Sequence, residues 1–199
     1  MKESNIAIFG GAFNPPTMAH LNLAKQVLTI IKNIRKVIFV PVSTKYNKSG
    51  LASDEDRFNM LKCICRNEKR LEVSSMELDS TRQLYTIETL KKFKKIYPRD
   101  NIYFILGTDN LKELTTWHEA ELILQEFKII VLERDNDIME DIIENDNILT
   151  KYKNSFIKLE QIERIKLSSS YIRKQVKSGI SIDKLVPQEI EENVKKIYK

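Results

Sequence analysis

A chain of 199 residues, 42% hydrophobic and 31% charged, has the size and composition of one globular unit with its own buried core. Its 33 basic and 28 acidic residues leave a net charge of +5, which suits anionic small molecules but is too mild and diffuse to argue for nucleic-acid binding. No apolar run approaches the roughly 18 residues that span a membrane, and the first residues lack a leader-like apolar stretch. Cys63 and Cys65 are two apart, and the chain holds only two histidines, His20 and His118. That excludes a disulfide frame and a zinc pattern, and it points to a reducing, cytoplasmic setting.

Ile6 to Phe9 reads as a short buried strand. Gly10 and Gly11 are expected to turn the chain sharply and let a ligand approach the backbone. Pro15 and Pro16 hold off helix until they are passed. From Met18 the pattern is helical, with Leu21, Ala24, Leu28 and Ile31 on one face. His20 therefore falls in the first turn of a helix that follows a strand and a glycine loop. Free N–H groups and the helix dipole make such a junction an anion site. The loop matches neither the dinucleotide fingerprint nor the Walker loop.

Lys36 to Val40 reads as the second strand, followed by a polar loop with Lys45 and Lys48. A helix is expected over 54–66, capped by Ser53, then a strand over 71–74. Another helix is expected over 86–97, ended by Pro98. Strands are expected over 101–106, before Gly107, and over 127–132. The acidic stretch 135–150 reads as a solvated helix and loop, and 155–159 as the last strand. Ser168, Ser169 and Ser170 then cap a helix that reaches Ser178 and stops at Gly179. Pro187 opens a final helix with Ile190, Val194 and Ile197 on its apolar face.

This alternation predicts an α/β fold: a Rossmann-like, doubly wound, mainly parallel sheet with helices on both faces over about 1–160, and a small helical part over about 166–199. Ligands in such folds bind at the carboxyl ends of the strands, so the loops after Phe9, Val40, Leu106 and Leu132 matter most. Ser168–Ser170 and Arg173 together offer hydroxyls, N–H groups and a guanidinium, the parts of a polyphosphate grip. Taken singly, each piece also has a plain structural reading. The serines form a cap, Trp117 and Tyr85 belong to the core, Arg134 lies on the surface, and His118 is structural or solvated.

Two motifs carry a resemblance. Gly10-Gly11-x-Phe13-Asn14-Pro15-Pro16-Thr17-x-x-His20 resembles the (H/T)-x-G-H signature of the nucleotidyltransferases, in particular the nicotinate/nicotinamide mononucleotide adenylyltransferases. Thr17 stands in place of a first His and Ala19 in place of Gly. Leu167-Ser168-Ser169-Ser170-Tyr171-Ile172-Arg173 resembles that family's I-S-S-[ST]-x-I-R, and Gly179 to Pro187 is similar to its C-terminal end. The loop 41–51 is similar to P-V-x-x-x-Y-x-K-x-G-L of members that accept both bases, with Lys48 at the lysine position. Leu84-Tyr85-Thr86 resembles S-Y-T, and Gly107-Thr108-Asp109-x-Leu111 with Trp117 resembles G-x-D-x-L…W.

The resemblance implies a single nucleotidyltransferase domain over 1–199 that joins AMP from ATP to a pyridine mononucleotide and releases pyrophosphate, in NAD biosynthesis. It implies catalytic roles for His20, Arg173 and Thr17, the last through a hydroxyl contact to the anion. It assigns ATP to Gly10, Gly11, Phe13, His20, Gly107, Asp109, Ser168, Ser169, Ser170 and Arg173. It assigns the mononucleotide to Asn14, Lys48, Tyr85, Thr86, Trp117 and Arg134. Mg2+ is expected on the ATP phosphates rather than in a protein cage. Nucleic acid and membrane are not expected partners, and a homo-oligomer stays open. Two other readings stand beside this one: another transferase of the superfamily, such as a phosphopantetheine adenylyltransferase, or a nucleotide-binding regulatory module without turnover.

Overall fold

The structure is a computed structural model and describes residues 4–45, 50–134, 136–159 and 167–199. The strands are β1 (Ser4–Gly11), β2 (Ile34–Pro41), β3 (Leu71–Val73), β4 (Asp100–Gly107), β5 (Lys128–Leu132) and β6 (Phe156–Lys158). They form one parallel sheet in the order β3-β2-β1-β4-β5-β6, the expected doubly wound arrangement. The three central strands β2, β1 and β4 run one or two residues beyond their sequence patterns, while β3, β5 and β6 are shorter than theirs by one or two residues. Ladder pairing recruits flanking residues whatever their polarity, as at Asp100.

β1 shows why a parallel strand here must be apolar throughout. Ile6 and Ile8 enter one core cluster, and Ala7 and Phe9 enter the cluster on the other face. The first face is covered by α3 (Thr86–Ile96), α4 (Thr108–Leu111), α5 (Ala120–Glu126), α6 (Met139–Glu144) and α7 (Asn147–Lys151). Leu90, Leu111, Ile123, Ile143 and Leu149 supply their contacts. The second face is covered by α1 (Met18–Ile30) and α2 (Asp54–Cys65), through Leu23, Ala24, Val27 and Leu61. Strand order reverses between β1 and β4, so the chain leaves their carboxyl ends in opposite directions and opens a crevice.

Two expectations are corrected. Gly10 and Gly11 do not turn the chain; they end β1, and neither has a positive φ. The reversal comes at Phe13, with φ of 46°. The two glycines serve close packing instead. A Cβ on Gly10 would lie 3.3 Å from the Phe104 ring, and one on Gly11 3.1 Å from the Phe13 ring. The acidic stretch 135–150 is not simply solvated, because Met139, Ile143 and Leu149 of α6 and α7 are buried in the core. Its acidic residues are only the outer face of two short helices.

The C-terminal part holds α8 (Ser169–Lys177) and, after a 3-10 turn at Gln188–Ile190, α9 (Glu191–Tyr198). Ile172, Val176, Val194 and Tyr198 pack on Met60 and Ile64 of α2 in a third cluster. On α2, Arg57 is completely buried. Its Nε donates to Ala52 O at 3.0 Å, its Nη1 to Ala12 O at 2.9 Å and its Nη2 to Asp54. Asp54 also accepts from Ser43 Oγ at 3.0 Å and from the Thr44 N–H at 2.7 Å. One guanidinium thus ties the loops after β1 and β2 to α2. Arg57→Leu removes these bonds and leaves Asp54 without its cation, so we expect a loss of about 3 kcal/mol or more. A fall in the urea unfolding midpoint, at unchanged slope, checks it.

Candidate functional site

The crevice has two connected lobes. One, about 320 Å³, is lined by Gly10 to Asn14 and by His20, Gly107, Arg134, Ser169 and Arg173, among others. The other, about 450 Å³, is lined by Glu77, Tyr85, Thr86, Thr89, Phe104, Trp117 and His118, among others. Gly10, Gly11, Ala12, Ile105, Leu106 and Asn110 line both. A cationic lobe therefore adjoins an aromatic lobe across the carboxyl ends of β1 and β4.

His20 is fixed by the start of its own helix. Thr17 is the N-cap of α1; its hydroxyl accepts from the His20 N–H at 3.3 Å. In return the Thr17 N–H donates to His20 Nδ1 at 3.0 Å, with the Thr17 hydroxyl 2.9 Å from the same nitrogen. A nitrogen that accepts from a backbone N–H carries no proton, so the ring proton sits on Nε2. Phe13 packs against the imidazole in a T-shaped contact at 5.1 Å, and Phe9 lies 5.9 Å away. Burial first, and then the Arg134 charge, push the His20 pKa down to about 3. The site thus holds a neutral imidazole with Nε2–H as its donor. Thr17 itself is 0% exposed and spends its hydroxyl on His20. The expected direct contact between Thr17 and an anion is corrected: a fully enclosed side chain does not reach the cavity.

The two sequence motifs meet. Arg173 Nη1 donates to Asn14 O at 2.7 Å and Nη2 to Ser170 Oγ at 3.2 Å. Ser169 Oγ donates to Pro15 O at 2.8 Å, and the Met18 N–H to Leu185 O at 3.0 Å. Ser168 is different. Its hydroxyl caps α8 by accepting from the Tyr171 N–H at 3.1 Å, and it does not line the lobe. The serine run is thus part clasp and part cap.

Asn14 is also reassigned. Its Nδ2 donates to Gly50 O at 2.8 Å; its Oδ1 accepts from the Ala52 N–H at 2.9 Å and the Tyr198 hydroxyl at 2.6 Å. It lines the cationic lobe, not the aromatic one, as a buried joint between three segments. Phe13 faces the lobe with its backbone, because its ring is 2% exposed and packed among Phe9, Phe39 and His20. Arg134 likewise belongs to the cationic lobe. Its Nη1 meets Asp109 at 3.2 Å, and its N–H donates to Thr108 Oγ1 at 3.0 Å. Gly107 allows this pairing: a Cβ there would run into the Asp109 carboxylate and lie 2.7 Å from Arg134 Nε.

In the aromatic lobe Trp117 stands edge-on to Phe104, with centroids 6.2 Å apart. Tyr85 is 50% exposed and stacks on His118 at 4.2 Å, so neither belongs to the core. Thr86 opens α3 on the wall of the lobe. Lys48 lies outside the described residues. Sequence reasoning left His118 as structural or solvated, although it adjoins Trp117, and passed over Asn110, which lies in the first turn after β4. Glu77 and Thr89 carried no sequence signal. Among the described residues no group of three or more His, Cys, Asp or Glu can hold a metal ion.

Comparison with known proteins agrees with this geometry. The cytidylyltransferase-like family model matches residues 8–175. A probable nicotinate-nucleotide adenylyltransferase of Caldicellulosiruptor bescii is 36% identical over 192 residues, covering 96% of each chain. One from Fusobacterium nucleatum is 36% identical over 195 residues, covering 97% of this chain and 98% of that protein. Among solved structures, Plasmodium falciparum nicotinic acid mononucleotide adenylyltransferase in complex with NaAD superposes with a TM-score of 0.80. It is 25% identical, and the match covers 98% of both chains.

The tautomer and the depressed pKa are directly measurable. In nitrogen-detected NMR, His20 Nδ1 is expected to keep the shift of an unprotonated acceptor, without titrating between about pH 5 and about pH 8. The stability linkage has a defined sign. The folded pKa of about 3 lies below the unfolded 6.5, so the unfolded chain takes the proton first. The contribution is complete above 6.5 and is lost as pH falls toward 3. His20→Asn should flatten that part of the acid unfolding curve.

Proposed function

Because the chain belongs to the nicotinate-nucleotide adenylyltransferases of the cytidylyltransferase-like family, we propose that it transfers AMP from ATP to nicotinate mononucleotide, in NAD biosynthesis. The observation that carries this reading is the continuity of a cationic lobe, holding a neutral His20 and Arg173, with a lobe walled by Trp117. A polyphosphate suits the first, and a flat pyridine ring suits the second.

In the reaction a 5′-phosphate oxygen of the mononucleotide forms a bond to the α-phosphorus of ATP. The bond from that phosphorus to the bridging oxygen of the β-phosphate breaks, and pyrophosphate leaves with the electron pair. The attacking oxygen is already anionic, so neither a base nor a covalent nucleophile is needed. Position and charge do the work. His20 Nε2–H donates a hydrogen bond where negative charge grows, and Thr17 holds that ring at the correct tautomer. Arg173 offers positive charge at the same lobe, while Gly107, Asp109 and Arg134 form the wall suited to the adenosine end. Trp117 and Tyr85 orient the pyridine ring. A divalent cation such as Mg2+ would ride on the ATP phosphates, since the lobe offers cations and hydrogen-bond donors to phosphate oxygens and, among the described residues, no carboxylate cage.

The deciding assay follows pyrophosphate from ATP and Mg2+ with nicotinate mononucleotide, nicotinamide mononucleotide or phosphopantetheine. Release with a pyridine mononucleotide supports the proposal. Silence with all three turns it into a binding module. His20→Ala should lower kcat by about 10²–10³ in a folded protein, as for loss of one transition-state donor. Trp117→Ala should instead raise the mononucleotide KM by up to about tenfold, with a smaller change in kcat.

A further inference from the structure

Glu77 is a carboxyl group that the reaction leaves unused, yet it lines the aromatic lobe with Thr86, Thr89, Trp117 and His118. It comes from the loop after β3. Its Oε1 accepts a hydrogen bond from Thr89 Oγ1, on the first turn of α3, at 2.8 Å. Among the described residues it forms no ion pair. The charges around it are otherwise engaged or distant. Lys92 on α3 is the cation whose charge opposes the upward shift, and Lys45 Nζ, from the loop after β2, is bonded to the carbonyls of Leu78 and Ser80. Asp79 accepts from Ser75, while Glu113, His118 and Tyr85 line the same lobe. Burial outweighs the Thr89 bond and Lys92, and raises the Glu77 pKa to about 7.

We propose that Glu77 is a specificity-determining residue of this lobe, selecting between an anionic and an amide substituent on the bound ring according to its own protonation. The claim rests on the adenylyltransferase reading, which places a pyridine ring there. As the neutral acid, Glu77 has an O–H to donate to a ring carboxylate, a short charge-assisted bond. As the carboxylate it repels that group, because two close carboxylates do not both stay ionised cheaply. A carboxamide of the same shape pairs with either form: its carbonyl accepts from the acid, and its NH₂ donates to the carboxylate. Preference for the nicotinate over the nicotinamide substrate therefore falls as Glu77 loses its proton. The 5′-phosphate is common to both substrates, so its own titration cancels in the ratio.

The test measures KM for both mononucleotides from about pH 6 to about pH 8.5. In the wild type the ratio of nicotinate to nicotinamide KM should rise by about tenfold for each pH unit above the Glu77 pKa, until the ionised limit is reached. In Glu77→Gln, neutral at every pH, the ratio should stay flat. Equal profiles in the two proteins overturn the proposal. Calorimetry of the wild type needs no variant. At about pH 8, in buffers of different ionisation enthalpy, nicotinate mononucleotide should take up more protons on binding than nicotinamide mononucleotide, and equal uptake overturns the proposal. If both ligands bind but neither yields pyrophosphate, the catalytic reading fails while calorimetry still decides Glu77. If neither binds, both fail.

Discussion

The site depends on how the carbonyls of the loop after β1 are satisfied. Beyond the end of β1 those carbonyls have no ladder partner, and leaving them buried and unpaired would cost free energy. Arg57 takes the Ala12 carbonyl from below, and Arg173 takes the Asn14 carbonyl from the C-terminal side. In a trans peptide the C=O and the following N–H point in opposite directions. Drawing the Ala12 carbonyl toward Arg57 therefore turns the Phe13 N–H the other way. Two guanidiniums, one on α2 and one on α8, thus satisfy the loop's acceptors, but only Arg57 orients an N–H in doing so, because Asn14 is followed by Pro15, which has none.

The same joint explains why the ends of the chain converge. Tyr198 reaches Asn14, Leu185 accepts from Met18, and Ser169 clasps Pro15. The C-terminal helices have an apolar core of their own only because α2 contributes Met60 and Ile64 to it. Their docking and the shape of the opening loop are thus one event, held by apolar packing on one side and buried hydrogen bonds on the other. The aromatic lobe is independent of this clasp. Its wall comes from α3 and from the turn around Trp117, and it joins the cationic lobe only through the ends of β1 and β4 and Asn110.

Local pattern was a good guide where the physics is local. A run such as Ile6 to Phe9 or Ile102 to Leu106 is apolar on both faces because both faces are covered, and that alone marks a central parallel strand. Ser168 followed by a helical pattern marks a helix start for reasons of backbone capping, and the periodicity from Met18 marks the start that Thr17 caps in the structure. Pattern misled where polarity was averaged over a stretch. The segment 135–150 is acidic by count, but Met139, Ile143 and Leu149 point inward. It also misled where a residue type suggested a ligand contact while a neighbour had a prior claim. Thr17, Asn14 and Ser168 spend their polar atoms on protein partners.

By itself the sequence determined the alternation of strands and helices, the two motif-bearing helix starts, and through them the family and its class of substrate. These are properties of spacing, and spacing is written in the chain. Only the tertiary structure decided which groups face the crevice. It enclosed Arg57, turned the Thr17 hydroxyl inward, set the proton of His20 on Nε2, moved Arg134 to the cationic lobe and put Glu77 on the aromatic wall. The Thr17–His20 pair is local, three residues apart; elsewhere orientation and burial depend on distant partners, as Asn14 shows in its bonds to Gly50 and Tyr198, 36 and 184 residues away. No local pattern contains them.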